Sequence, residues 1–193
     1  MRCVSPRPHE RDRPCALIDV GYLRLGEERE ATELFAAVAA ERRWIGTEPP
    51  VDIDARTAGL TGSIATGRQM LIVARIASGI VGTLGLYRTP SRDEHSLGLG
   101  MLVDAAHRGI GVGAALLAFA LGHARKHAVT SIALDVFPHN NGARALYRKF
   151  GFVERERLVE YLIRADGARW DVIRCELLLS GEESRAEAGT SAP

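Results

Sequence analysis

Residues 107–114, His-Arg-Gly-Ile-Gly-Val-Gly-Ala, set three glycines at alternating positions between an apolar run and a stretch rich in Ala and Leu. A strand that turns into a helix there exposes unpaired backbone amides and the positive end of the helix dipole. Gly109, Gly111 and Gly113 carry no side chain to hold an anion away, and Arg108 adds a cation beside the same opening. The chemistry this predicts is phosphate binding. Gly109-x-Gly111-x-x-Ala114 also satisfies a relaxed dinucleotide-binding fingerprint, with Asp135 about where a ribose-binding acid ends the next strand. Such a unit ordinarily opens its domain, whereas here an antiparallel hairpin precedes it. A mononucleotide P-loop fails, since no Gly-Lys-Ser or Gly-Lys-Thr follows.

A second group of side chains lies downstream. Ala143, Leu146, Tyr147 and Phe150 share one helical stripe, which taken alone makes Tyr147 a core residue with a satisfied hydroxyl. Asn140 stands where a helix N-cap belongs. His123, His127 and His139 lack metal-ligand spacing and read as exposed, and His107 reads as solvated or close to phosphate.

The elements that must position these groups follow from periodicity. Residues 16–20 read as a strand, and from Glu27 the residues Ala31, Leu34, Phe35 and Val38 form an apolar stripe on a helix. A weaker helix is expected over 52–60, capped by Asp52 or Asp54 and closed by Gly59 and Gly62. Runs 69–75 and 80–87 have hairpin spacing around Gly79. Residues 95–104 form a third strand that feeds the glycine cluster and a helix to about 127. Strand 131–136, helix 140–150 and a terminal hairpin of 158–164 with 170–179 complete the pattern. Strand, helix, strand, helix implies one parallel pair within an α/β sheet.

At 193 residues with 46% apolar content, the chain fits one domain, expected over 16–180, with disordered arms at 1–15 and 181–193. A formal charge of +1 offers no global basic field, so nucleic acid is not an expected partner. The longest apolar stretch, 113–122, is about half of the roughly 20 residues a membrane span needs, and no membrane association is expected. The Arg- and Pro-rich start has no secretory apolar core, which points to the cytoplasm. Cys3, Cys15 and Cys175, odd in number and far apart, suggest neither disulfides nor a metal site.

Arg108-x-x-Gly111-x-Gly113 resembles the pyrophosphate-binding motif of the GNAT superfamily, the acyl-CoA-dependent N-acetyltransferases. Asn140-x-x-Ala143-x-x-Leu146-Tyr147-x-x-x-Gly151-Phe152 resembles that family's second signature, at the expected distance after the first. The resemblance extends over 16–180 and, from scattered residues after Gly151, toward the branch that acetylates amino acids and small amines. It implies a mixed, mostly antiparallel central sheet flanked by helices and splayed at the acyl-CoA site, with acetyl-CoA as co-substrate and no metal. The backbone of Met101, Leu102 and Val103 would pair with the pantetheine arm. The amides of Gly109, Ile110, Gly111, Val112, Gly113 and Ala114 would hold the pyrophosphate beside Arg108. Asn140 would cap its helix or touch the cofactor, and Arg144 would reach a CoA phosphate or stay solvated. Tyr147 would serve the departing thiolate. The acceptor would be a small-molecule primary amine attacking directly through a tetrahedral intermediate, and small-amine members of the family are often homodimers.

One departure from the pattern is plain: many members place a Glu in the strand before the glycine motif, and 95–104 contains no acid before Asp104. Glu94, His95, Glu48 or a water chain are the candidate replacements. The missing acid keeps a noncatalytic CoA-binding regulatory module in view as an alternative, beside the dinucleotide-binding oxidoreductase.

Overall fold

The computed structural model describes residues 17–88 and 95–179. Its sheet has seven strands in the order β1-β2-β3-β4-β5-β7-β6. They are β1 (Asp19–Tyr22), β2 (Gln69–Ile76), β3 (Gly79–Arg88), β4 (Ser96–Val103), β5 (Ser131–Val136), β6 (Val153–Ile163) and β7 (Arg169–Leu178). Every neighbouring pair is antiparallel except β4 and β5. Helices α1 (Glu28–Ala40) and α2 (Ile53–Ala65) contribute to one face, and α3 (Val112–Lys126) and α4 (Asn141–Lys149) to the other. The mixed, mostly antiparallel architecture expected from the sequence is the one observed.

Alternation along the strands makes the two cores. Ile72, Ala74, Leu84, Leu86 and Leu99 point toward α3 and pack with Leu116, Leu117 and Ala120. Leu71, Val73 and Ile80 point the other way and pack with Ala31, Leu34 and Val38, the predicted α1 stripe.

The parallel pair is short. β4 and β5 pair at only three positions, Ser96↔Ser131, Leu97↔Ile132 and Gly98↔Ala133. Beyond them β5 stays in register with β7 as far as Val136↔Ile173, while β4 stays with β3 as far as Val103↔Gly82. The two strands therefore part into a V. Its closed end is pinned by a buried hydrogen bond of 2.7 Å between the hydroxyls of Ser96 and Ser131.

Three boundaries differ from the sequence reading. β1 begins at Asp19, where its pairing with β2 begins, rather than at 16. α2 runs through Gly59 and Gly62 to Ala65, because Leu60 and Ile64 pack on the α1 core and offset the entropic cost of interior glycine; Gly67, at φ +67°, makes the turn. Of the two candidate caps, Asp52 is the one used, its carboxylate accepting from the Ala55 amide at 2.9 Å. β6 starts at Val153, four residues after the end of α4, rather than at 158, and spans Val153–Ile163 because β7 supplies a partner along it despite two register shifts. The expected arms at 1–15 and 181–193, with Glu94, Cys3 and Cys15, lie outside the described residues.

Candidate active site

A cleft of about 1720 Å³ runs through the V. Side chains of α4 line it on one side of the sheet, residues of α1 and α2 on the other, and Leu99 to Val103 of β4 between them. The β4 edge at Met101–Val103 is paired with β3 on one side and has left β5 on the other, so the backbone groups along that second edge face the cleft rather than a strand. Met101 and Val103 pack toward α3, and Leu102 toward α1.

Past β4 the chain makes a single 3-10 turn at Ala105–His107 and enters α3. Gly111 is the N-cap of α3, at φ +98° and ψ 0°, and no side chain caps the helix. The first-turn amides of α3 thus lack intrahelical partners. Gly109, at φ +78°, completes a backbone path that few other residues adopt. Gly109, Gly111, Gly113 and Ala114 line the cleft. The side chains of Ile110 and Val112 instead pack into the α3 core, Val112 almost wholly buried, which fixes the direction of the loop. A Cβ on Gly113 would come within 3.0 Å of Leu146, so its absence sets how closely α3 meets α4.

Arg108 is less free than the sequence suggests. Its Nε donates to the Val103 carbonyl at 3.0 Å, and its guanidinium pairs with both carboxylate oxygens of Glu41. Glu41 also accepts from the Trp44 indole at 2.6 Å. Arg108 hence ties the glycine loop to the end of α1, and its charge is balanced there.

α4 starts at Asn140, whose side chain accepts from the Ala143 amide at 3.1 Å and also lines the cleft. The cap role is realised. Arg144 is turned away from the cleft, bonding Glu154 at 2.9 and 3.1 Å and the Pro138 carbonyl at 3.0 Å. Tyr147 is 6% exposed, packs on Phe152 and lines the cleft from the α4 side. Burial raises its pKa above the ordinary phenol value. The phenol is neutral and able to donate a hydrogen bond. Behind it, in a recess of about 300 Å³, burial pushes the Cys175 thiol up to about 11. That thiol is inert.

Neither expected replacement for the missing acid lines the cleft. Glu48 is held by the buried Arg164, 2.6 Å from its Nε, and that guanidinium also donates to the Ile45 and Arg42 carbonyls and lies over Trp170. Glu48 serves to fasten the α1–α2 connection to the β6–β7 turn. His95 precedes β4 at the closed end of the V, the length of the strand away from the glycine loop. Gly100 of β4 lines the cleft, while Gly98 lies in the closed pair with Ala133, and a Cβ on Gly98 would fall within 2.3 Å of the cleft-lining Tyr87 ring. A larger side chain there would displace Tyr87.

Sequence reasoning missed His139 as a cleft residue. Its Nε2–H donates to the Arg43 carbonyl at 2.8 Å, and its ring stacks on Phe137 and meets Trp170 edge-on. The histidine is exposed, as expected; its place in an aromatic wall depends on three separate chain segments. Asp135, the ribose-binding candidate, is in a two-pronged pair with Arg174 at 3.0 Å. With strand order also unlike a doubly wound sheet, the dinucleotide reading falls.

A mostly antiparallel sheet parted at one parallel pair, with an uncapped glycine-lined helix start at the mouth of the gap, defines a class of transferase that takes an extended phosphate-bearing donor. A family model described as acetyltransferase (GNAT) family matches residues 31–152, and the chain belongs to that family of acetyl-CoA-dependent N-acetyltransferases. Among solved structures, a ribosomal-protein-alanine N-acetyltransferase from Brucella melitensis is similar, with a TM-score of 0.75 at 22% identity over 83% of this chain and 99% of that one. A Salmonella typhimurium protein solved with its cofactor acetyl-CoA has a TM-score of 0.75 at 18% identity, over 89% and 98%. A spermidine N-acetyltransferase from Vibrio cholerae, in complex with CoA and spermine, has a TM-score of 0.72 at 23% identity, over 83% and 95%. No curated protein matches the chain significantly. Among the described residues, no helix is long and apolar enough to cross a membrane.

Proposed function

We propose that the protein moves the acetyl group of acetyl-CoA to the primary amine of a small molecule by direct attack through a tetrahedral intermediate. The observation that carries this reading is the single cleft through the V, which reaches the uncapped α3 start and the β4 edge from the α4 side and opens between α1 and α2 on the other. The donor's pyrophosphate would lie on the amides of residues 109–114 and its amide-bearing arm along Met101–Val103. Donor and acceptor would then meet at the parted strands from opposite faces of the sheet.

In the transfer, the amine lone pair forms the C–N bond at the acetyl carbonyl carbon, the C–S bond breaks, and the thiolate leaves with its electron pair. The attacking nitrogen loses one proton to solvent. Tyr147, neutral at any working pH, donates a hydrogen bond to the leaving sulfur. Without an acid on the cleft face of β4, the amine must arrive deprotonated. A lysine-like amine of pKa about 10.4 costs about 4 to 5 kcal/mol at neutral pH, whereas an α-amine near 7.7–8.0 costs about 1. The site therefore suits α-amines.

The test is release of CoA thiol on mixing protein, acetyl-CoA and a panel of amines, with mass spectrometry of the products. Amine-dependent thiol release with an acetylated product is expected. Tight acetyl-CoA binding without release from any amine would overturn the transfer reading in favour of a binding module.

A further inference from the structure

α2 carries into the cleft a cation that the transfer step does not use. The guanidinium carbon of Arg56 lies 3.2 Å from the centroid of the Phe35 ring, and both side chains line the cleft. The cation–π contact holds the guanidinium over the ring. Among the described residues, no carboxylate lies within ion-pair distance of Arg56 and no carbonyl accepts from its side chain. The nearby acids are otherwise engaged: Asp54 pairs with Arg29 at 2.6 Å, and Asp52 is the α2 cap. The other arginine lining the cleft, Arg108, is balanced by Glu41. Arg56 is exposed to the cleft, and the partial desolvation of its guanidinium beside α1 slightly disfavours the charged form.

Position separates this cation from the phosphate end. Phe35 and Glu41 are six residues apart on and just beyond α1, about 9 Å along the axis, so Arg56 and Arg108 meet α1 at separate points along it. The same cleft is also lined by Leu71, Thr83 and Gly85 of β2 and β3, and Leu71 belongs to the core on the α1 face, opposite α3 and α4. That is the acceptor's side of the sheet.

We infer that Arg56 binds a carboxylate on the acceptor, so that the substrate is a primary amine carrying an anionic group, of the free amino acid class. This rests on the transfer reaction proposed above. A planar fork matches a carboxylate through two parallel N–H···O bonds. A polyamine would bring cations toward an unbalanced cation, and an amide or peptide N-terminus would leave the fork unpaired.

Steady-state thiol release at fixed acetyl-CoA tests this with α-amino acids, their amides and spermidine. The amide is the informative control, because it keeps the α-amine and loses the carboxylate charge; since that charge also makes the amino acid's amine the more basic of the two, each KM is expressed on the concentration of the free-amine form. The expected result is a KM for the amino acid about 10- to 100-fold below that of its amide, the scale of a charge-assisted hydrogen bond. Arg56→Ala should erase that preference while leaving kcat for the amide and the KM for acetyl-CoA unchanged, and Arg56→Lys should restore part of it. Equal use of amino acid and amide, preference for spermidine, or an Arg56→Ala variant whose two amine KM values rise together would overturn the assignment and leave acetyl transfer standing. No thiol release from any amine would instead overturn the transfer reading, and this inference with it.

Discussion

Tyr147 is the residue on which sequence and surroundings pull hardest in different directions. Its stripe of Ala143, Leu146 and Phe150 and its 6% exposure are those of a core tyrosine, yet its ring also walls the cleft. A phenol at its ordinary pKa of about 10 already protonates a thiolate of pKa about 8.5 uphill by roughly 2 kcal/mol, and burial raises that phenol further. On the proposed mechanism the residue acts as a neutral hydrogen-bond donor. Tyr147→Phe is expected to lower kcat about 100-fold with acetyl-CoA affinity unchanged by calorimetry; full activity would return Tyr147 to packing on Phe152. The pH dependence follows from what the cleft lacks. With no acid on its β4 face, kcat/KM should climb with pH until the amine's own pKa is reached. Glu48→Gln and His95→Ala should leave that profile in place, and an enzyme-owned pKa lost in either variant would show a dedicated base.

At the scale of elements, two devices hold the cleft. The first is the turn into α3, where Gly111 takes a φ of +98° that a β-branched residue cannot adopt without strain. Gly111→Val is expected to raise the acetyl-CoA dissociation constant at least tenfold, while circular dichroism shows a folded domain; unchanged affinity would move the phosphate site elsewhere. The second is the latch of Arg164 and Glu48 between the α1–α2 connection and the β6–β7 turn. The Arg164 side chain is 4% exposed, so taking away its counter-charge leaves a buried cation leaning on carbonyls alone. Glu48→Gln should cost about 1–3 kcal/mol in denaturant unfolding. Its signature on catalysis should be a raised amine KM with the acetyl-CoA KM unmoved, since the loop it fastens borders the acceptor side.

For the molecule as a whole, one acid-sensitive pair joins the sheet to α1. Arg75 on β2 donates at 2.8 Å to Glu27, which precedes α1, and this bond lowers the Glu27 pKa from 4.5 to about 2. A carboxylate depressed on folding stabilises the fold above its unfolded pKa and loses that contribution as pH falls toward the folded value. The contribution is thus complete above about pH 5 and fades between about 4.5 and 2. Glu27→Gln should lower stability at pH 7, and the gap to the parent protein should close across that window. A gap independent of pH would mean the loss is one of packing.

Local chemistry was legible in the chain itself. Hydrophobic period marked nearly every strand and helix, because a strand buries alternate residues and a helix one stripe whatever the rest of the chain does. The glycine run declared its backbone geometry for a related reason: positive φ and bare amides are properties of the backbone, and Gly109 and Gly111 state them directly. Asn140 and Asp52 likewise cap helices through neighbours a few residues away. What the chain could not declare was which charges meet. Arg108 is spent on Glu41, Arg144 on Glu154 and Glu48 on Arg164, the first and last across 67 and 116 residues, while Arg56 is left facing the cleft. His139 joined the aromatic wall and His95 fell at the closed end of the V by the same long-range placement. Charge pairing acts over a few ångströms of space and is indifferent to sequence distance, so the balance of charge in the cleft was decided only when the sheet order brought β7 between β5 and β6 and laid α1 against the glycine loop.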